Sequence, residues 1–194
     1  MRSMGLYRAI LGLLLALPAS AQAASWTLEG GSAIRFEAYL QGGPVEGTFE
    51  RFTADIAFDP EDLAASRVDV DIDTASVNTG HKDRDATLRS PNLLDVERWP
   101  TARFASEKFE HLGGDDYQAL GTLTIRDVQK EVVLPFSLQI TDHPDDPGLQ
   151  RAHAVGELTI SRLDYGVGQG EWASTAAVGD KVVVAIEIVA AAKR

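Results

Sequence analysis

Four histidines in this chain stand beside or near carboxylates: His81-Lys82-Asp83, Asp142-His143, His111 and His153. Imidazole next to carboxylate can move protons and, in larger sets, hold zinc. Neither chemistry finds its usual spacing. The sequence has no His-Glu-x-x-His, no histidine pair at helical spacing and no Gly-x-Ser-x-Gly turn. Cysteine is absent, which excludes thiolate nucleophiles, thiolate metal sites and disulfides. The four rings are therefore expected to be solvated surface groups, with no metal site. A second polar set, Asn78, Arg84, Asp85, Arg89 and Ser90, leaves two roles open. It could form a rim that hydrogen-bonds the polar end of a bound molecule. The favoured role is to anchor and cap short helical turns, which need tertiary support. An enzyme working on a small amphiphile would draw on His81, Asp83 or Asp85. Trp99 and Trp172 suit either a mouth lining or an end plug, and Trp26 suits a plug, since indole offers an apolar body with one donor.

The elements that would position these groups are strands. In Ile34-Arg35-Phe36-Glu37-Ala38-Tyr39-Leu40 the even positions are apolar, and Val68, Val70 and Ile72 alternate with Asp69, Asp71 and Asp73. A strand with aspartate at every second position must turn that face to water and the other inward. Similar runs cover residues 47–59, 103–110, 117–126, 132–140, 152–161 and 181–190, giving eight or nine strands according to how 46–49 and 54–58 are divided. Turn chemistry such as Gly42-Gly43-Pro44 and Gly113-Gly114-Asp115-Asp116 separates them, as in hairpins. An all-β antiparallel meander follows. Sustained one-sided alternation suggests closure into a barrel, which removes exposed edges; an open two-sheet sandwich also fits the pattern.

Residues 77–104 break the alternation while keeping Leu88, Leu93, Leu94, Val96, Trp99 and Phe104 among their charges. Connections beyond ~12–15 residues are usually functional or disordered. This one reads as an ordered helical lid of two short turns. Residues 82–89 form the first, with Asp83 as a possible start. Ser90-Pro91 would cap the second, because proline suits the first helical position.

Residues 1–23 read as an export leader. Arg2 and Arg8 precede the apolar residues 9–17, and Ala21-Gln22-Ala23 offers a cleavage site. That apolar core is far shorter than the ~20 residues needed to span a bilayer, so stable membrane insertion is not expected. Residues 24–194 would form the single mature domain, in the periplasm. The net charge of −11 argues against nucleic acid and anionic membranes as partners, since both are bound by basic patches.

Asn78-Thr79-Gly80, Arg84-Asp85, Leu88-Arg89-Ser90-Pro91, Leu94-Asp95-Val96-Glu97 and Pro100-Thr101-Ala102-Arg103-Phe104 together resemble the signature of the YceI-like family. Residues 121–130, 162–168 and 178–188 agree with it in order. The resemblance implies a lipocalin-like extended antiparallel β-barrel of about eight strands. It also implies an apolar interior that takes a polyisoprenoid, such as a polyprenyl quinone, as ligand rather than cofactor, and a possible homodimer. Asp127 stands where the family usually has glycine in a hairpin turn, and aspartate tolerates left-handed backbone better than most residues. Glu131 replaces a common proline. Asn92-Leu93 replaces the usual Asp-Phe, a change in the lid that could alter the pocket.

Alternation alone does not separate a filled barrel from a hollow one, because both need an apolar lining. The lid and the resemblance favour the hollow form. The residues expected to touch the ligand are then Phe36, Ala38, Phe49, Phe58, Val70, Ile72, Phe104, Leu123 and Phe136 from the strands. Leu88, Leu93 and Leu94 join them from the lid, with Trp172. The remaining alternatives are the mouth enzyme and a stress-related interaction protein with a filled barrel.

Overall fold

The computed structural model describes residues 23–194. The expected leader lies outside these residues except for Ala23. Eleven strands and one short helix follow in order. The strands are β1 (Ser25–Leu28), β2 (Ala33–Leu40), β3 (Gly43–Phe49), β4 (Phe52–Ala57), β5 (Arg67–Asp73) and β6 (Val77–Asn78), then α1 (Lys82–Arg89), then β7 (Thr101–Gly113), β8 (Asp116–Ile125), β9 (Val128–Asp142), β10 (Leu149–Ser161) and β11 (Lys181–Lys193).

The first six strands are three long strands, each broken once. β1 and β2 both pair with β11, through Thr27↔Ala191 and Ala33↔Glu187. β4 and β3 pair with β1 and β2 respectively, and β5 and β6 with β4 and β3. Counted this way, eight antiparallel strands run as a meander that β11 closes against β1. This is the expected barrel, and the breaks explain the doubt between eight strands and nine. Two of the breaks are stapled together. The Arg51 amide donates to Ser76 Oγ at 3.1 Å, and the Asp73 amide donates to the Arg51 carbonyl at 3.0 Å.

Alternation positions the side chains. Asp69, Asp71 and Asp73 project outward from β5, where Arg67 and Arg103 meet Asp69 at 2.6 and 2.7 Å. Those two guanidinium bonds hold the Asp69 carboxyl below the usual aspartate range. Every apolar partner on the same strand faces in. One barrel end collects residues 58–66, 114–115 and 143–148, and is the floor. The other collects residues 41–42, 79–100, 126–127 and 162–180, and is the mouth.

The β8–β9 turn corrects one expectation. Arg126, not Asp127, takes the left-handed backbone, with φ 56°. Such a conformation costs a non-glycine residue roughly 1–2 kcal/mol. It is offset by what the Arg126 side chain does at the mouth, described below.

Candidate functional site

The barrel is hollow. Its interior holds a cavity of about 680 Å³ lined from floor to mouth. Phe36, Ala38, Phe49, Phe58, Val70, Ile72, Phe104, Leu123 and Phe136 all line it from the strands, as do Leu88, Leu93, Leu94 and Trp172 from the mouth. The strand residues share one physical reason: each sits at the inward phase of a period-two strand. Polar lining is confined to Thr74, His81, Asp83, Arg84, Thr87 and Arg162.

The floor is an aromatic plug. Phe58 meets Phe109, Tyr117 and Phe136 edge-on at centroid distances of 5.2, 6.0 and 6.5 Å. Tyr117 stacks on Phe136 at 5.6 Å. Trp26 packs into the same cluster, and its indole N–H donates to the Phe58 carbonyl at 2.9 Å. Burial pushes the Tyr117 hydroxyl above its ordinary pKa. Higher up, Phe36 and Phe49 pair at 5.6 Å. The Phe36 ring fills the space over Gly47, where a β-carbon would lie 2.3 Å from the ring.

At the mouth, the polar set anchors the lid. Thr79 donates to Asp85 Oδ1 from both its amide (2.8 Å) and its hydroxyl (2.5 Å). Burial pushes the Asp85 carboxyl up, but these two bonds, with Arg89 and Arg84 nearby, more than offset it and hold the group below its ordinary pKa. Arg84 donates to Thr79 Oγ1 and to the Thr79 carbonyl, each at 2.8 Å. Arg89 donates to the carbonyls of Ala75 and Val77 at 2.8 and 2.6 Å. Asn78 donates to Glu50 at 2.5 Å. Of the five residues in the set, Arg84 alone lines the cavity; Asn78, Asp85, Arg89 and Ser90 do not.

The lid departs from expectation in form. α1 starts at Lys82 with His81, not Asp83, at its N-cap. Ser90 ends α1 rather than capping a second helix. Its carbonyl accepts from the amides of Leu93 (3.0 Å) and Asp95 (2.9 Å), so residues 91–94 form turns. Pro91 suits this geometry because its nitrogen has no hydrogen to place.

Two arginines complete the mouth, and patterning did not find them. Arg126 donates to the Leu93 carbonyl at 2.5 Å and lies 4.4 Å over the Trp99 ring, so Trp99 serves the lid from outside the cavity. Arg162 is buried, and its side chain donates to the carbonyls of Gly179, Val167, Trp172 and Val178 at 2.8–2.9 Å. Burial lowers its pKa, partly offset by Asp180. Asp180 is itself held low by the Leu163 amide and the Ser161 hydroxyl. Arg162 thereby shapes residues 162–180 into a second mouth cover, joined to the first where the Gln169 amide donates to the Asn92 carbonyl at 2.7 Å. The signal was present: residues 162–180 lose the alternation as 77–104 do, and carry Gly166, Gly168, Gly170 and Gly179.

One histidine departs from expectation. His143 is largely buried. Its Nδ1 accepts from the amides of Asp145 and Asp146, which leaves Nε2 to donate to Glu29 at 2.9 Å. It ties the floor loop and lies away from the cavity. His81 is exposed and lines the mouth. Among the described residues no cluster of histidine and carboxylate could hold a metal ion. No helix among them is long and apolar enough to cross a membrane.

A closed antiparallel barrel with an apolar hollow, an aromatic floor and a polar-anchored mouth defines a lipocalin-like architecture. Residues 26–190 match the model of the YceI-like domain, and the chain belongs to that family. It is 30% identical over 162 residues to a UPF0312 protein of Vibrio vulnificus, covering 81% of this chain and 85% of that protein. Among solved structures it resembles BcnA of Burkholderia cenocepacia (TM-score 0.75, 28% identity, 84% of this chain and 98% of that one). It also shares its fold with a polyisoprenoid binding domain from Saccharophagus degradans (TM-score 0.63, 15% identity, 89% of this chain and 98% of that one).

Proposed function

We propose that this protein sequesters one long apolar molecule of the polyisoprenoid class in its barrel, as a non-enzymatic carrier in the periplasm. The observation that carries this reading is the interior: about 680 Å³ whose polar lining lies only at the mouth. Ligand sites commonly span ~300–1,000 Å³, and apolar cavities of this kind hold apolar guests better than water. Each methylene withdrawn from water contributes ~0.8 kcal/mol. A chain of repeated apolar units therefore binds through burial, with little demand on its polar end. The fold shared with a polyisoprenoid binding domain supports the ligand class. The basic and apolar start of the sequence supports export.

Expression of the full chain with its own leader, fractionation, organic extraction of the purified protein and mass spectrometry test the reading. A polyprenyl species recovered in stoichiometric amount from the periplasmic fraction is expected. Consistent recovery of no lipid, or retention in the cytoplasm, would overturn it. Ala154→Trp, which fills the cavity from β10, should abolish uptake while leaving the fold intact. The rival reading, an enzyme at the mouth, rests on His81 and Asp83 lining the cavity. Asp85, the third candidate, is already committed to Thr79. Alanine at His81 and Asp83 should leave apolar binding unchanged; loss of a turnover in those variants would favour the enzyme.

A further inference from the structure

The barrel wall is unevenly stitched. β10 pairs with β11 along its whole length, from Leu149↔Lys193 to Ser161↔Lys181. β8 pairs with β9 from Asp116↔Ser137 to Ile125↔Val128. Between β9 and β10 the ladder begins at Gln150↔Asp142 and ends at Gly156↔Phe136. In the same register, residues 157–161 of β10 would face residues 131–135 of β9, yet the ladder does not continue there.

The residues at the break explain where it falls. Pro135 occupies the first unpaired position and has no amide hydrogen to give. Gly156 marks the apex, where the strands converge so closely that a β-carbon would lie 2.8 Å from the Pro135 carbonyl oxygen. Above the apex both lips are apolar on the inside, since Leu134, Leu158 and Ile160 line the cavity. On the outside only Val133 of β9, 48% exposed, is a large apolar residue above the apex. Val155, 46% exposed, lies just below it in the ladder opposite Ser137, and the outward positions of β10 above it are Glu157 and Thr159. At the mouth end Lys130 of β9 reaches the turn that follows β10: its Nζ lies 3.0 Å from Asp164 and 6.0 Å from the Tyr165 ring centre. An ion pair with both partners this exposed is weak.

We propose that this seam is a side opening of the cavity, through which the apolar chain of the ligand passes, with Lys130 and Asp164 as the latch at its upper end. The proposal rests on the binding reading above. Threading a long chain end-on through the mouth requires both covers to release their arginine and aspartate bonds. Parting β9 from β10 above Gly156 breaks no ladder bond, and the chain meets Leu134, Leu158 and Ile160 on the inner faces of the two lips.

The chain contains no cysteine, so Val133→Cys with Thr159→Cys can be joined across the seam by a short bismaleimide and the link confirmed by mass. Gln139→Cys with His153→Cys, a pair inside the intact ladder, is the control. The readout is release of parinaric acid, a fluorescent polyene fatty acid, by stopped flow. The seam link should slow release about tenfold and the control link less than about twofold, because an obstructed path acts on rates. Lys130→Ala, which disturbs no ladder, should speed release about threefold. Unchanged release in the seam-linked protein would overturn the opening, and unchanged release in Lys130→Ala would overturn the latch. Failure of the unlinked protein to bind parinaric acid would overturn the binding reading and this proposal with it.

Discussion

At the floor, Phe58, Phe109, Tyr117 and Phe136 close the barrel by contacts among their rings, with Trp26 in the same buried cluster, whereas at the mouth α1 and residues 162–180 hang from arginines that donate to main-chain carbonyls. The two closures differ in reversibility. Ring burial is non-directional and scales with area, so opening the floor loses the whole cluster at once. A hydrogen bond exchanged for water changes the balance by only about 0.5–1.5 kcal/mol. The mouth can therefore loosen in steps while the floor stays shut. The apolar floor sets how deep a guest reaches, and the polar mouth sets how readily the covers move.

The sharpest way to break the comparison is at the floor. Phe58→Ala removes the ring that three others meet edge-on, and should cost about 3–5 kcal/mol in denaturant unfolding. A smaller loss would mean that the floor collapses into the space. At the mouth, Arg162→Leu should cost about 2–3 kcal/mol, because several buried carbonyls lose their donor together. Hydrogen exchange should rise across residues 163–180 and stay unchanged at the floor. If both ends loosen, the two closures are not independent.

Asp85→Asn should cost about 1–2 kcal/mol, and its pH dependence sharpens the contrast. The folded carboxyl lies below its ordinary value. Its contribution is thus fully present above the unfolded value of about 4 and is lost as pH falls through the lowered one. The gap in unfolding midpoint between wild type and Asp85→Asn should be widest at neutral pH and close on acidification. Asp180 shifts in the same direction, so acid should loosen both covers while the floor, closed by ring packing among Phe58, Phe109, Tyr117 and Phe136, resists. The smallest effect is expected on the outer wall. Arg35→Ala removes the exposed pair with Glu187 and should leave the unfolding midpoint unchanged within error.

Legibility in the sequence followed the same division. The inward residues of the wall and floor could be read because a strand repeats every two residues, so one apolar phase names them all. Leu88, Leu93 and Leu94 could be read because they are apolar within a charged segment. For Asp85 and Arg84 the sequence favours anchoring beside a possible rim, and only the fold brings Thr79 to both of them. Arg126 and Arg162 stood as single charges in turns. Each draws its importance from carbonyls brought near by the fold, a relation with no periodic trace. The same holds for His143, whose partner Glu29 is distant in sequence.

The sequence by itself determined an antiparallel all-β meander with one apolar face, the residues on that face and the place of its lid. Alternation, turn chemistry and the need to bury one face are all local, so they survive in a linear string. Tertiary structure alone decided that the barrel is hollow, because alternation specifies which side chains face inward and not whether they meet. It also decided that the mouth has two covers joined at Asn92 and Gln169, and that the β9–β10 ladder stops at Gly156. Those outcomes depend on strand register and on distances between residues far apart in the chain, which only the closed fold supplies.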